Sequence, residues 1–418
     1  MTRSGTTVTD LIYAPEPVRS LRGTAQCFCS SSKATAVTPQ LGSRYALWLL
    51  MRLLLTAFCA SLVFATSAHA ATVKFSIAAV EYGSHGATVD VGTMRLVDQD
   101  AADDVVSVQG DSGGLTVDDP AGLIAAAGCT GVSATQVRCP VTRELDGGVE
   151  LDLVLGGGND TYVPDQAISS VTASGGPGED RLEGPVAPAR TNVFYDGGPG
   201  EDVLSSGNAV TSILEGGAGA DQLIASSRER RTDITYLGSP TGVDLDMRTG
   251  RGSRGDAAGD RVTGRVLTLL GSSHADHLRA PEDGSLIYGQ GGDDVLTGGR
   301  GEDSLDGGTG NNVIRGGAGN DDLSASAGAF GRPDNLLDGG PGADAINASR
   351  GTDRIFGGPG RDRVHDVGPR DRVALTGGNL DRITCKAPRR KLPRPALIRV
   401  DQRDRVGPSC PVPIIRRR

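Results

Sequence analysis

Apolar residues follow two regimes along the chain. Before Leu155 they alternate with polar ones: Val73, Phe75 and Ile77 in one run, Val106 and Val108 in another, and Val149, Leu151, Leu153 and Leu155 around Glu150 and Asp152. A period of two predicts half-buried β-strands, so residues 71–154 read as a small all-β module. After Leu155 the pattern becomes one apolar position in each nine-residue unit. Four nonapeptides run in unbroken tandem: GQGGDDVLT (289–297), GGRGEDSLD (298–306), GGTGNNVIR (307–315) and GGAGNDDLS (316–324). The frame extends back through APEDGSLIY to GSSHADHLR, beginning at residue 271. It resumes after an insertion at 325–329 as FGRPDNLLD, GGPGADAIN, ASRGTDRIF, GGPGRDRVH and DVGPRDRVA (330–374). Single copies appear earlier as LGGGNDTYV, GGPGEDRLE, GGPGEDVLS and GGAGADQLI. Their sixth-position acids, Asp160, Asp180, Asp202 and Asp221, lie 20, 22 and 19 residues apart.

The unit GGxGxDxUx (U apolar) has a direct physical reading. Its glycines permit positive φ and close backbone approach, so the first six residues form a tight turn. The apolar eighth residue lies in a short extended stretch with one face inward. Two units then make one 18-residue coil with a turn on each edge, whereas copies spaced about 20 apart place one such turn per coil, stacked along a single edge. No coil can bury its core alone, so the units must stack into a solenoid of parallel strands. The predicted organisation is an irregular solenoid over 155–270, a first dense block over 271–324 and a second over 330–374. The module at 71–154 caps the stack and covers its open edge.

Charge identifies what such a stack lacks. Residues 71–376 carry −22, with +4 on 1–70 and +9 on 377–418, within a chain total of −9. An acidic body favours cations as partners and disfavours nucleic acid. One buried Leu or Ile per nonapeptide contributes ~1.5–3 kcal/mol, while ordering each backbone residue costs ~1–2 kcal/mol. Carboxylates stacked ~5 Å apart oppose folding further, by ~3 kcal/mol per pair at an effective dielectric of ~20. A cation between the turns removes that repulsion. Ligation by oxygen alone selects a hard ion, and Ca²⁺ fits a flexible cage better than Mg²⁺.

The run 289–324 resembles the haemolysin-type, repeats-in-toxin (RTX) calcium-binding nonapeptide. That resemblance covers 155–374, densely in 271–324 and 330–374. It implies an all-β, right-handed parallel β-roll with Ca²⁺ held between the turn of one repeat and that of the second repeat onward. Asp303 then pairs with Asp321, Asp294 with Asn312, Asp344 with Asp362, and Asp353 with Asp371. Asp160, Asp180, Asp202 and Asp221 supply the isolated turns, and the carbonyls of Gly298, Gly301, Gly316 and Gly319 join the ligand set. Asn312 and Asn335 replace an acid, which weakens their sites. Residues 289–324 carry −5 and residues 339–374 carry +1. The first block is therefore expected to bind more tightly, with Asp303/Asp321 the best site.

Composition and flanks set the compartment. Met51-Arg52 opens the apolar run LLLTAFCASLVFA, followed by Ala68-His69-Ala70, the parts of a secretory signal peptide at 51–70. Residues 1–50 read as a non-structural extension before a second start at Met51. The apolar run is shorter than the ~20 residues of a membrane-spanning helix, and no later segment reaches that length. The expected location is outside the cell, with calcium ions as partners and cell-surface or extracellular polymers as further candidates. Of the four cysteines after the leader, local pairing of Cys129 with Cys139 and Cys385 with Cys410 is the simplest of three connectivities. Neither pair has zinc-site spacing or an adjacent His. Residues 375–418 are a basic, Pro-rich tail, read as a solvated cap.

Catalytic constellations are weak. Gly110-Asp111-Ser112-Gly113-Gly114 matches the nucleophile segment of chymotrypsin-like proteases, but only His85 lies in that region as a base, and a turn between strands explains the segment better. No HExxH occurs. His274 and His277 sit in a degenerate repeat as surface residues. The sequence reads as a non-catalytic, calcium-folded secreted protein with a structural or adhesive role. The alternative is an extracellular hydrolase or polysaccharide-modifying enzyme working along the acidic face. Such an enzyme needs clustered aromatics for sugar stacking, and residues 71–418 contain only nine Phe and Tyr.

Overall fold

The computed structural model describes residues 71–82, 87–98, 101–111, 114–140, 149–164, 168–186, 191–226, 230–326, 332–375, 377, 379–386, 397–410 and 414–416. The expected extension and leader at 1–70, and His85, lie outside the described residues. Among the described residues the architecture is all-β, with a single short 3-10 turn at Gly255–Ala257. Two sheets face each other across the core, and the chain passes from one to the other and back in successive coils. One sheet has 16 strands, running from the N-terminal module to Arg405–Val406.

The nonapeptide explains the coil. From His277–Arg279 to Arg354–Phe356 the strands are three residues long with only the middle side chain buried, as in Val295–Thr297, Ser304–Asp306 and Val313–Arg315. That residue is the apolar eighth position. The strands pair in parallel with eighth positions in register: Leu278, Leu296, Ile314, Leu337 and Ile355 in one sheet, and Ile287, Leu305, Leu323 and Ile346 in the other. Each is sealed from solvent and contributes ~1.5–3 kcal/mol. Earlier coils are broader. Asn192–Pro199 and Thr211–Ala218 span eight residues each, and Tyr162, Tyr195 and Tyr236 fill the wider interior. Tyr162 and Tyr195 meet edge to face at 6.3 Å.

The N-terminal module joins the stack directly. Its strand Ala87–Val97 pairs in parallel with Val149–Val154, and Val105–Asp111 pairs with Thr161–Val163. Beyond them, antiparallel pairing of Ala71–Tyr82 with Ala87–Val97 and of Val105–Asp111 with Gly114–Asp118 covers the first coil's open edges. Asp111 lies opposite Gly114, so the strands that end and begin in the GDSGG segment pair with each other.

Two regions differ from expectation. Within 225–270, an antiparallel pair, Asp244–Asp246 with Arg251–Arg254, is inserted into the second sheet between strands Arg261–Thr263 and His277–Arg279. The tail is not a solvated cap in its described parts. Arg382–Cys385, Leu397–Val400, Arg405–Val406 and Ile414–Arg416 continue both sheets in parallel register. Ile383, Ile398 and Val400 supply the buried positions, and their alternation with Arg and Thr is the physical reason that the coil continues. Cys129–Cys139 and Cys385–Cys410 are both bonded, the local pairing. Among the described residues no helix is long and apolar enough to cross a membrane.

Candidate metal centres on the two turn edges

Each coil has two turn edges, and the sixth-position acid stands where the turn passes into the next strand. On one edge Asp104, Asp160, Asp180, Asp202, Asp221 and Asp260 form a ladder. The backbone N–H of each donates to Oδ1 of the next at 2.8–2.9 Å. Past the inserted pair the same edge continues through Asp276, Asp294, Asn312, Asn335, Asp353 and Asp371 at 2.8–3.0 Å. On the other edge Ser285, Asp303, Asp321, Asp344, Asp362, Asp381 and Asp404 do the same at 2.8–3.1 Å.

Asp303/Asp321, Asp294/Asn312, Asp344/Asp362 and Asp353/Asp371 are thus neighbours on adjacent coils. Within each pair, one carboxylate or amide oxygen faces a backbone N–H of the coil before it, so every rung does structural work before any ion is considered. Asn312 and Asn335 fit this position because an amide oxygen accepts the same bond. Asp104, Asp260, Asp276, Asp381 and Asp404 were not expected as site residues. A short signal marks them, an Asp followed two residues later by a buried apolar residue: Val106, Val262, Leu278, Ile383 and Val406. Val406 alone is half-buried.

The second carboxylate oxygen divides the rungs into two kinds. Oδ2 of Asp160, Asp180, Asp202, Asp221, Asp294, Asp321, Asp344, Asp362 and Asp381 is buried with no hydrogen-bond partner. Oδ2 of Asp104, a rung that no glycine turn precedes, is likewise unpartnered, whereas in the remaining acidic rungs it is already satisfied. Gly299 N–H caps Asp303 at 2.7 Å, Ser349 N–H caps Asp353 at 3.0 Å, and Gly368 N–H caps Asp371 at 2.6 Å. Tyr236 donates its hydroxyl to Asp260 at 2.7 Å. Asp303, expected as half of the best site, therefore differs from its partner Asp321.

The open rungs have the geometry of a cation cradle. In the turn 316–321, Gly317 and Gly319 take φ of +101° and +142°, values that only glycine adopts easily. A Cβ on either would strike the carbonyl of Gly299 or Gly301 in the coil before. A Cβ on Gly316 would fall between Asp321 Oδ2 and the carbonyl oxygen of Gly339 in the coil after. The same crowding of a free Oδ2 and a neighbouring coil's carbonyl recurs at Gly197, Gly289 and Gly339. The carbonyls of Gly298, Gly301, Gly316 and Gly319 accept no hydrogen bond among the described residues. No three His, Cys, Asp or Glu side chains converge among those residues, so backbone carbonyls must complete any site. A donor set of carboxylate and carbonyl oxygen suits a hard cation of high coordination number.

The protonation energetics agree. Burial pushes Asp202 and Asp294 up to about 8 and Asp160 and Asp221 up to about 7, with the adjacent rung's charge adding to the rise. Burial likewise lifts Asp180, Asp321, Asp344, Asp362 and Asp381 to about 6. Asp303 is raised by burial against the pull of its Gly299 and Ser285 donors. When ionised, these carboxylates are anions held out of water, a cost that a cation between the turns would offset.

The model of the RTX calcium-binding nonapeptide repeat (4 copies) matches residues 270–305, 297–329 and 334–364. None of the curated proteins matches the chain. The ladders, the glycine cradles and this match converge on one statement: the chain carries RTX calcium-binding nonapeptide repeats, stacked as a parallel β-solenoid.

Proposed function

We propose that this is an exported, non-catalytic protein that folds on Ca²⁺ outside the cell and serves a structural or adhesive role. The observation that carries this reading is the set of nine buried, unpartnered Oδ2 atoms, Asp160 through Asp381, set against glycine turns on both edges. When bound, Ca²⁺ supplies the positive charge that those oxygens lack. Asp160, Asp180, Asp202, Asp221, Asp294, Asp321, Asp344 and Asp362 are the side-chain ligands, with Asp381 added. Asp303, Asp353 and Asp371 would first have to release their capping N–H groups. Asn312 brings a neutral oxygen and makes the weaker site. Two disulfides support an oxidising compartment, where millimolar calcium suits sites of ~10⁻⁴–10⁻³ M.

Circular dichroism of the full chain in calcium and in chelator tests the reading. The β signal should collapse in chelator and return with calcium, the stabilisation growing with the ratio of free ion to Kd. Identical spectra and melting temperatures in both conditions would refute it. A turnover screen on glycans and peptides should be negative.

A further inference from the structure

Three arginines stand in one column on the outer face of the 16-stranded sheet. Arg363 lies opposite Arg382, and Arg382 opposite Arg405, on three successive strands. All are exposed. Together with Arg361 they line a cavity of about 40 Å³, which Leu380, Asp362 and Asp381 also border. Neighbouring strands are ~4.8 Å apart, and like charges directly opposite one another are destabilising.

Several strand arginines elsewhere have an acid beside them, although Arg354 and Arg372 also stand opposite one another in the other sheet. Arg231 meets Asp233 at 3.0 Å, Arg279 meets Asp246 at 3.2 Å, and Arg95 meets Asp152 at 3.3 Å. Among the described residues, Arg361, Arg363, Arg382 and Arg405 have no ion-pair partner. The two acids bordering the cavity do not neutralise them. Oδ1 of Asp362 and of Asp381 accepts a backbone N–H at 3.1 and 2.9 Å, and Oδ2 of each is sealed from solvent.

We propose that this cavity binds a tetrahedral oxyanion, a sulfate or phosphate group. Guanidinium forks match such groups with paired, charge-assisted hydrogen bonds. A water needs ~10–15 Å³ of such volume, so the cavity holds one compact anion rather than a large ligand. No aromatic ring borders it, which leaves charge and hydrogen bonding as the means of recognition. The group can come from a free ion or from an acidic polymer lying along the column, in which case this end of the solenoid is where the proposed adhesive role resides. The inference rests on the calcium reading only in requiring that the last coils be formed.

The test is calorimetric titration of the full chain with sodium sulfate, with sulfated dextran and with uncharged dextran, in calcium, with circular dichroism in parallel. Saturable binding of a sulfated probe is expected, with none of uncharged dextran. The doubly substituted Arg382→Gln/Arg405→Gln chain should bind about tenfold or more weakly with an unchanged spectrum. Arg354→Gln, on the opposite sheet, should bind as the unaltered chain does. Should the double variant lose its β signal, Arg361→Gln on the turn replaces it and should show the same weakening. Equal affinity per sulfate for salt and polymer assigns the site to the free ion, and tighter polymer binding assigns it to the polymer. Absence of saturable binding, undiminished binding by the variants, or an equal loss in Arg354→Gln overturns the proposal. If the spectrum proves independent of calcium, the sulfate titration repeated in chelator must still show the site, so the two readings fail separately.

Discussion

The rung at Asp321 has two separable roles, and two substitutions pull them apart. Its Oδ1 accepts the Asp303 N–H at 3.0 Å, while its Oδ2 is buried without a partner. Asp321→Ala removes both oxygens and strands a buried N–H, at about 1–3 kcal/mol with or without calcium. Asp321→Asn keeps the accepting oxygen, as Asn312 does at 2.9 Å, and removes only the charge. Burial pushes the Asp321 carboxyl from 3.8 up to about 6. Near pH 8 the ionised form therefore weighs against the ion-free fold, by on the order of 1–3 kcal/mol after allowance for screening.

The two variants should then change places with the ligand. In chelator, Asn should be the most stable, the unaltered chain intermediate and Ala the least. In calcium, the unaltered chain should lead both. Thermal melts read the order in calcium. In chelator it is read from the concentration of trimethylamine N-oxide that restores the β signal, since excluded osmolytes strengthen burial. If Asn falls as far as Ala in chelator, the rung hydrogen bond is not what Oδ1 contributes. If Asn equals the unaltered chain in calcium, the carboxylate charge is not engaged by the ion.

Other outcomes follow from the same geometry. Because Asp202 and Asp294 are raised to about 8 and Asp160 and Asp221 to about 7, protonation favours the folded state. This stability is full below the ordinary carboxylate value near 3.8 and is lost as pH rises through about 6–8. Acidification from about pH 8 to about pH 5 should therefore compact the chelated chain and weaken its calcium affinity, by dichroism and calcium titration, and the opposite trend would contradict the buried-anion account. Gly319→Ala, which combines a φ of +142° with a clash against the Gly301 carbonyl, should lower stability in calcium by about 2 kcal/mol or more in a melt. Tyr236→Phe leaves Asp260 Oδ2 without its donor and should cost about 1–3 kcal/mol, while equilibrium dialysis finds at least as many bound calcium ions as before.

Legibility in the sequence tracked the number of constraints each position carries. The nine-residue frame was visible because glycine, acid and apolar residue are each fixed by separate physics: positive φ, the rung bond and the core. Where fewer constraints act, the frame fades but the coil does not. In the tail, Asp381-Arg382-Ile383 and Asp404-Arg405-Val406 keep rung and core while the glycine turn is relaxed, so a basic, Pro-rich composition concealed two more coils. The inserted pair at 244–254 was illegible for a different reason. It joins its neighbours through backbone hydrogen bonds, which leave little trace in side-chain pattern. The Tyr236 hydroxyl that fills Asp260 was hidden likewise, because it comes from 24 residues away.

The rung bond also explains how an ion-binding stack tolerates so many irregular copies. Were the carboxylates held together by cations alone, each lost acid would open a gap, and Asn312 and Asn335 on consecutive rungs would break the edge. Instead one oxygen per rung joins the coils by hydrogen bonding, at 2.9 and 2.8 Å through Asn312 and Asn335. Only the second oxygen is available to an ion. That oxygen can be left to a cation, as at Asp321 and Asp344, capped by the turn's own N–H, as at Asp303 and Asp353, or filled by a distant hydroxyl, as at Asp260. The ladder is thus compatible with all three solutions, and calcium dependence is set rung by rung. It should be concentrated along Asp160–Asp221 on one edge and Asp321–Asp381 on the other, so a chain bearing Asn at Asp180 and Asp202 should lose bound ions while one bearing Asn at Asp353 and Asp371 should not. Calcium counting on those two chains decides the matter, and equal losses would show that the capped rungs give up their N–H donors to the ion.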